Sequence, residues 1–155
     1  MLARVDIWRD RSGKPLFILW STRLVTDVRG RPAAVLTTDD NVHSNDGRHL
    51  ATYERGLVRD HSGLILLYGE RVRDAECPKL PESVPLGAYS PPVTTPKPPN
   101  LEKAPPRAKP MPVWSEQNPT AVIRTWRFSD APGAFRQFDS LDDLESFSTE
   151  SEEEE

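Results

Sequence analysis

Three aspartates and a serine, Asp10, Asp27, Ser44 and Asp60, recur at intervals of 17, 17 and 16 residues. Carboxylates that converge could hold a metal ion or share a proton for acid–base work. Each of the four, however, stands three residues before a glycine, at Gly13, Gly30, Gly47 and Gly63. Asp/Ser-x-x-Gly is a turn sequence: the side-chain oxygen accepts from nearby backbone N–H groups, and glycine takes the positive-φ position. Turn formation accounts for the residue types at all four repeats, whereas a carboxylate ring does not account for Ser44. These eight residues are read as structural turns, with no catalytic or metal-ligating role.

The other reactive types are sparse. Lys14, Arg31 and Arg48 follow the turn glycines directly and could line a basic ring for an anion, but interspersed acids make a solvated strand face the better reading. His43, His49 and His61 occupy different repeat columns and lack a Cys-x-x-Cys or His-x-x-x-His pairing, so the convergent ligand set that zinc requires is not expected. Cys77 is the single cysteine, which excludes an intrachain disulfide and suits a reducing compartment. It has no assignable histidine partner, as a catalytic thiol would need. No cofactor is expected.

What must position these residues is a repeat. Aligned on the four glycines, Trp8, Val25, Val42 and Val58 fall in one column and Phe17, Ala34, Ala51 and Leu67 in another. Several columns agreeing at once mark a true internal repeat. Flanking residues are β-branched or aromatic and partly alternate, and polar turns between units reverse the chain again. The expected fold class is all-β: four consecutive antiparallel β-hairpins, about eight short strands, arranged with pseudo-fourfold symmetry. Val72-Arg73-Asp74 restarts the pattern of Val58-Arg59-Asp60. It is expected to pair back near the N-terminus and close the ring, removing exposed edges.

The run from Gly47 to Ala51, the run from Tyr53 to Gly63, and Asp10-Arg11-Ser12-Gly13 resemble the bacterial four-fold β-flower proteins. The resemblance covers residues 5–74 well and the remainder only in style. It implies four hairpin petals about a pseudo-fourfold axis, and it implies no activity.

Composition divides the chain further. Residues 1–77 carry a net charge of +1, residues 78–112 of +3, and residues 113–155 of −8. The expected organisation is a four-hairpin domain (1–77), a Pro-rich extended linker (78–112) and an acidic-aromatic tail (113–155) with a short strand over 120–128 and a short helix from Ser140. Proline removes the donors that helices and sheets need, so the linker is read as an extended, mobile spacer. The start of the chain lacks a signal-like apolar stretch, and the run Leu16–Trp20 is far too short to span a bilayer, so a cytoplasmic protein is expected. The charge balance disfavours nucleic acid and membrane as partners, because phosphate contacts need clustered Lys and Arg. The tail concentrates apolar side chains among acids, and Trp126, Phe128, Leu144 and Phe147 are the candidate anchors for an unidentified protein partner. The function expected is therefore a non-catalytic binding or scaffold module. The alternative is a small enzyme or ligand-binding protein with its site at the petal axis or rim.

Overall fold

Each Asp/Ser-x-x-Gly turn joins two strands, and each polar turn between repeats joins the next pair. The computed structural model describes residues 2–72, 77–92 and 100–124. The strands are β1 (Arg4–Arg9), β2 (Pro15–Trp20), β3 (Leu24–Asp27), β4 (Pro32–Leu36), β5 (Asn41–Ser44), β6 (His49–Glu54), β7 (Leu57–Arg59) and β8 (Ile65–Tyr68). Each pairs antiparallel with the next, and β8 returns to β1, giving a closed eight-stranded barrel. The fold is all-β, with one short helix, α1 (Pro119–Val122), among the described residues. Closure comes from β8 itself, through Tyr68 opposite Arg9. Of the expected closing segment Val72–Asp74, Val72 packs against Leu57, Ile65 and Tyr68, and residues 73–74 lie outside the described residues.

The repeat columns become the core. Trp8 faces Phe17, Val25 faces Ala34, Val42 faces Ala51, and Val58 faces Leu67, one cross-strand pair in each petal. All eight are at most 2% exposed and belong to one cluster. The pair in the first petal, Trp8/Phe17, is the bulkiest, and the Val/Ala pairs of the next two are the smallest. Immediately after each of Trp8, Val25, Val42 and Val58 the register shifts, a bulge at the same position in all four petals. A bulge re-aims the residue that follows it. The four residues so placed, Arg9, Thr26, His43 and Arg59, are polar and buried.

The described residues of the Pro-rich segment carry no helix or strand and run against the petals instead of away from them. In chain order, Val84 N–H donates to the carbonyl of Gly13, Ser90 to Val28, Glu102 to Gly47 and Met111 to Gly63. This strap then pairs with β8, Ile65 N–H donating to Val113 and Ser115 N–H to Ile65. Trp114 packs at that junction on the cluster of Leu57, Ile65 and Tyr68. Asn118 caps α1 through its side chain, and Ile123, fully buried, joins the barrel's core cluster. Of the expected tail, residues 113–124 are thus part of this structure. The expected strand over 120–128 begins instead with α1 through Val122, for which Asn118 and Pro119 are an N-cap and a first-turn proline. The rest of that strand, the helix from Ser140, and the candidate anchors Trp126, Phe128, Leu144 and Phe147 lie outside the described residues. No helix among the described residues is long and apolar enough to cross a membrane.

Candidate functional site

The four turns share one hydrogen-bond plan. Asp10, Asp27, Ser44 and Asp60 each accept from the glycine three residues on and donate to the carbonyl four residues on. Oδ1 of Asp10 accepts from the N–H groups of Ser12 and Lys14, that of Asp27 from Arg29 and Arg31, and that of Asp60 from Ser62 and Leu64. Ser44 Oγ accepts from Arg48 N–H and donates to Asp46, whose carboxyl is held below its ordinary value chiefly by that bond. The carboxylates are engaged by their own turns. Of the basic column, Arg31 pairs with Asp27 at 2.7 Å, and Arg48 lies 3.6 Å from Asp46.

The turn rim carries a groove that reads main chain. Gly13, Gly30, Gly47 and Gly63 adopt φ of +85° to +95°, and a Cβ on any of them would collide with a strap carbonyl oxygen, of Glu82, Pro91, Asn100 and Lys109 respectively. Those four strap residues are spaced nine apart, one step per petal. Two residues after Glu82, Asn100 and Lys109 stand Val84, Glu102 and Met111, whose N–H groups bond the carbonyls of the same glycines. Glycine therefore serves twice here, for the turn and for the close approach of a second backbone.

The bulge residues complete the grip. Arg9 donates through Nε and Nη2 to the carbonyl of Val84 at 3.2 and 3.1 Å. Arg59 donates through Nη1 to the carbonyls of Met111 and of Gly63, both at 2.7 Å. Arg9 also pairs with Glu70 at 3.3 Å, and Arg59 lies 3.8 Å from Glu54. In the third petal the equivalent residue is His43, which bonds Gly47, and there the strap contributes a side chain: Glu102 Oε1 accepts from His49 N–H at 2.7 Å. Arg107 ties the strap between petals, donating to Glu54 at 2.8 Å and to the Asp39 carbonyl at 2.6 Å. At the fourth turn, Asp60 Oδ2 accepts from Ser115 Oγ at 2.6 Å and Gln117 Nε2 at 3.1 Å.

The three histidines come together, although they occupy separate repeat columns. His43 and His49 are cross-strand partners at the bulge of the third petal. Their rings meet edge to face at 5.2 Å, and His61 of the next petal stacks on His49 at 5.0 Å. His49 Nε2 lies 2.9 Å from Asn41 Oδ1, and its Nδ1 lies 2.9 Å from His61 Nε2. Asn41 Oδ1 can only accept, so His49 carries its proton on Nε2 and Nδ1 accepts from His61. That arrangement requires a neutral His49. Burial first, then the charges of His61 and His43, pull its pKa from 6.5 down to about 4. The two nitrogens point at each other in a hydrogen bond and do not converge on a third point. No group of three His, Cys, Asp or Glu among the described residues is arranged to hold a metal ion.

A shallow depression lies beside this cluster, lined by His49, His61, Arg59, Glu54 and the strap residues Pro105–Ala108. Its two arginines are engaged by Glu54 and by backbone carbonyls, as described above. Cys77 is half-buried, donates to the Pro78 carbonyl at 3.3 Å, and packs against the Leu57, Ile65 and Tyr68 cluster.

The buried polar column at Arg9, Thr26, His43 and Arg59 was not singled out from the sequence. Its signal is positional: a polar residue directly follows each apolar Trp8/Val25/Val42/Val58 position. Comparison with known protein families gives a match to the 4-fold beta flower protein family over residues 6–131. Neither the curated proteins nor the solved structures contain a match to this chain.

Proposed function

The chain belongs to the 4-fold beta flower family, and from that premise we propose that it is a non-catalytic scaffold module that presents its acidic-aromatic C-terminal segment to a protein partner. The observation that carries this reading is Ile123, buried in the barrel core one residue before the end of the described chain. The strap is bonded to the petals up to that point, so the chain is anchored on the barrel close before the candidate docking segment begins in sequence. Tethering of this kind raises the local concentration of a docking peptide and lowers the entropy lost on capture. The carboxylate and histidine side chains that an enzyme would use are committed to turns and to one another. The Trp8/Phe17 pair and its three counterparts form one buried apolar cluster, which supports the scaffold reading over a catalytic site inside the barrel.

The test is a pull-down with the full chain beside a variant in which Trp126, Phe128, Leu144 and Phe147 are all replaced by alanine. The variant should lose partner capture and keep its melting temperature. Capture that survives the four substitutions would move the binding role to the barrel.

A further inference from the structure

The strap fills its groove with main chain and turns side chains outward. Large apolar residues are exposed at seven places among the described residues, and five of these lie on the strap: Val84, Tyr89, Leu101, Met111 and Val113, at 40–47%. Tyr89 is committed to the Arg4 guanidinium and the Trp20 ring. Val84, Leu101 and Met111 fall at the turns. The N–H groups of Val84 and Met111 bond Gly13 and Gly63, and Leu101 stands between Asn100 and Glu102 on Gly47. Apolar side chains grouped in this way on a rim of polar residues mark a surface that another molecule covers.

Charge at the same turns says what that molecule is. Each turn has beside it an exposed cation with no acidic partner among the described residues: Arg11 at the first, Arg29 at the second, Lys103 next to Glu102 at the third, and Lys109, whose carbonyl lies on Gly63, at the fourth. The acids there are mostly bonded inward, Asp10, Asp27 and Asp60 to turn N–H groups, Asp46 to Ser44 and Glu102 to the N–H of His49. Glu82 and Glu116 are the exposed acids of the strap whose side chains make no bond among the described residues. We propose that the outer face of the strap, with the turns it crosses, is a docking surface for an acidic protein segment that carries large apolar side chains. Apolar contact supplies affinity, and the cations select the sign of the partner. Nucleic acid is the poorer occupant, because four dispersed cations offer few phosphate contacts and Val84, Leu101 and Met111 would find no apolar surface. The strap stays in its groove when this face is occupied, and the role of the C-terminal segment does not enter.

Fluorescence anisotropy tests this with the full chain and a labelled synthetic peptide of glutamates interspersed with phenylalanines. The peptide should bind with a Kd below ~100 μM, and added salt should weaken it. Replacing Arg11, Arg29, Lys103 and Lys109 by glutamate should weaken binding at least ~10-fold. Replacing Val84, Leu101 and Met111 by serine, which leaves their N–H groups in place, should do the same. All seven side chains are exposed, so both variants should keep the wild-type melting temperature. Should a combined variant melt early, the single substitutions Lys103→Glu and Leu101→Ser take its place, each expected to weaken binding at least ~2-fold. A peptide with glutamine for glutamate should bind at least ~10-fold more weakly than the acidic one. Absence of binding to the wild type, equal binding of the glutamine peptide, or binding unchanged by either set of substitutions overturns the proposal. So does duplex DNA that binds more tightly than the peptide and is indifferent to the serine substitutions. The full chain with Trp126, Phe128, Leu144 and Phe147 replaced by alanine should still bind the peptide, so that this surface and the C-terminal segment are read separately.

Discussion

Arg59 and Met111 lie 52 residues apart in sequence, and the guanidinium of one grips the backbone carbonyl of the other at 2.7 Å. The same nitrogen holds the Gly63 carbonyl, and Gly63 accepts from the Met111 N–H, so three groups close a ring at the fourth turn. Arg9 repeats the arrangement on Val84 in the first petal. Both arginines are nearly inaccessible, at 1% and 4% exposure, which makes their bonds expensive to leave unmade.

Arg59→Met should therefore destabilise the protein by about 1.5–3 kcal/mol, the range for a hydrogen bond to a charged group. Replacement of an exposed arginine such as Arg11 should fall within about 0.5 kcal/mol of wild type. Denaturant melts give the energies. Hydrogen exchange locates the loss: the Met111 amide should lose protection before the barrel amides do. Uniform loss across the barrel would mean that Arg59 supports the sheet and has no separate part in gripping the strap.

The turn glycines should matter more than the turn aspartates. At Gly30 a side chain meets two penalties, the positive φ of +85° and the carbonyl of Pro91 where the Cβ would stand. Backbone strain alone costs roughly 1 kcal/mol or more, before the displacement of the strap. Asp27→Ala removes side-chain bonds to the N–H groups of Arg29 and Arg31, both exposed residues, and should cost about 0.5–1.5 kcal/mol. Gly30→Val should thus be the more destabilising in a denaturant melt, and it alone should deprotect the Ser90 amide. The reverse order would assign the aspartates a task beyond the turn.

This contrast explains what could be read in advance. Asp27 and Gly30 announce a turn because the chemistry is local: side chain and backbone lie within four residues, and residue type states the role. Likewise Trp8, Val25, Val42 and Val58 announce a core, because burial selects apolar types at each repeat. The strap was illegible for the opposite reason. Glu82, Pro91, Asn100 and Lys109 make equivalent contacts yet share no side-chain property, since each contributes only a carbonyl. The proline content that forces extension there equally suits a free spacer. The histidine cluster was missed because His49 and His61 come from neighbouring petals, and their meeting depends on the barrel's curvature, which no spacing within one repeat encodes.

Acidification should weaken the fold through His49. Its folded pKa of about 4 lies below the ordinary 6.5, so between those values the unfolded chain takes up a proton that the folded chain refuses. The stability it contributes is complete above pH 6.5 and is lost as pH falls toward 4. Protonating Nδ1 also breaks the bond accepted from His61. Stability measured from pH 7.5 to 4 should decline in the wild type and decline less in His49→Gln. Parallel curves for the two proteins would exclude His49 as the source.

The last expectation concerns Ile123, where the strap ends in the core. A buried isoleucine truncated to alanine commonly costs about 2–5 kcal/mol, through lost transfer energy and the cavity left behind. Ile123→Ala should lower stability within that range even though the residue follows β8 by more than fifty positions. A chain ending at Lys79, which lacks this plug together with the strap, should still melt cooperatively as a β protein, because the β8–β1 closure is intact, but at a lower midpoint than a chain ending at Arg124. Comparing these two truncations separates the barrel from its strap. Identical midpoints would show that Ile123 and the strap add no stability. Non-cooperative melting of the shorter chain would show that the eight strands need the strap to fold at all, in which case barrel and strap form one folding unit.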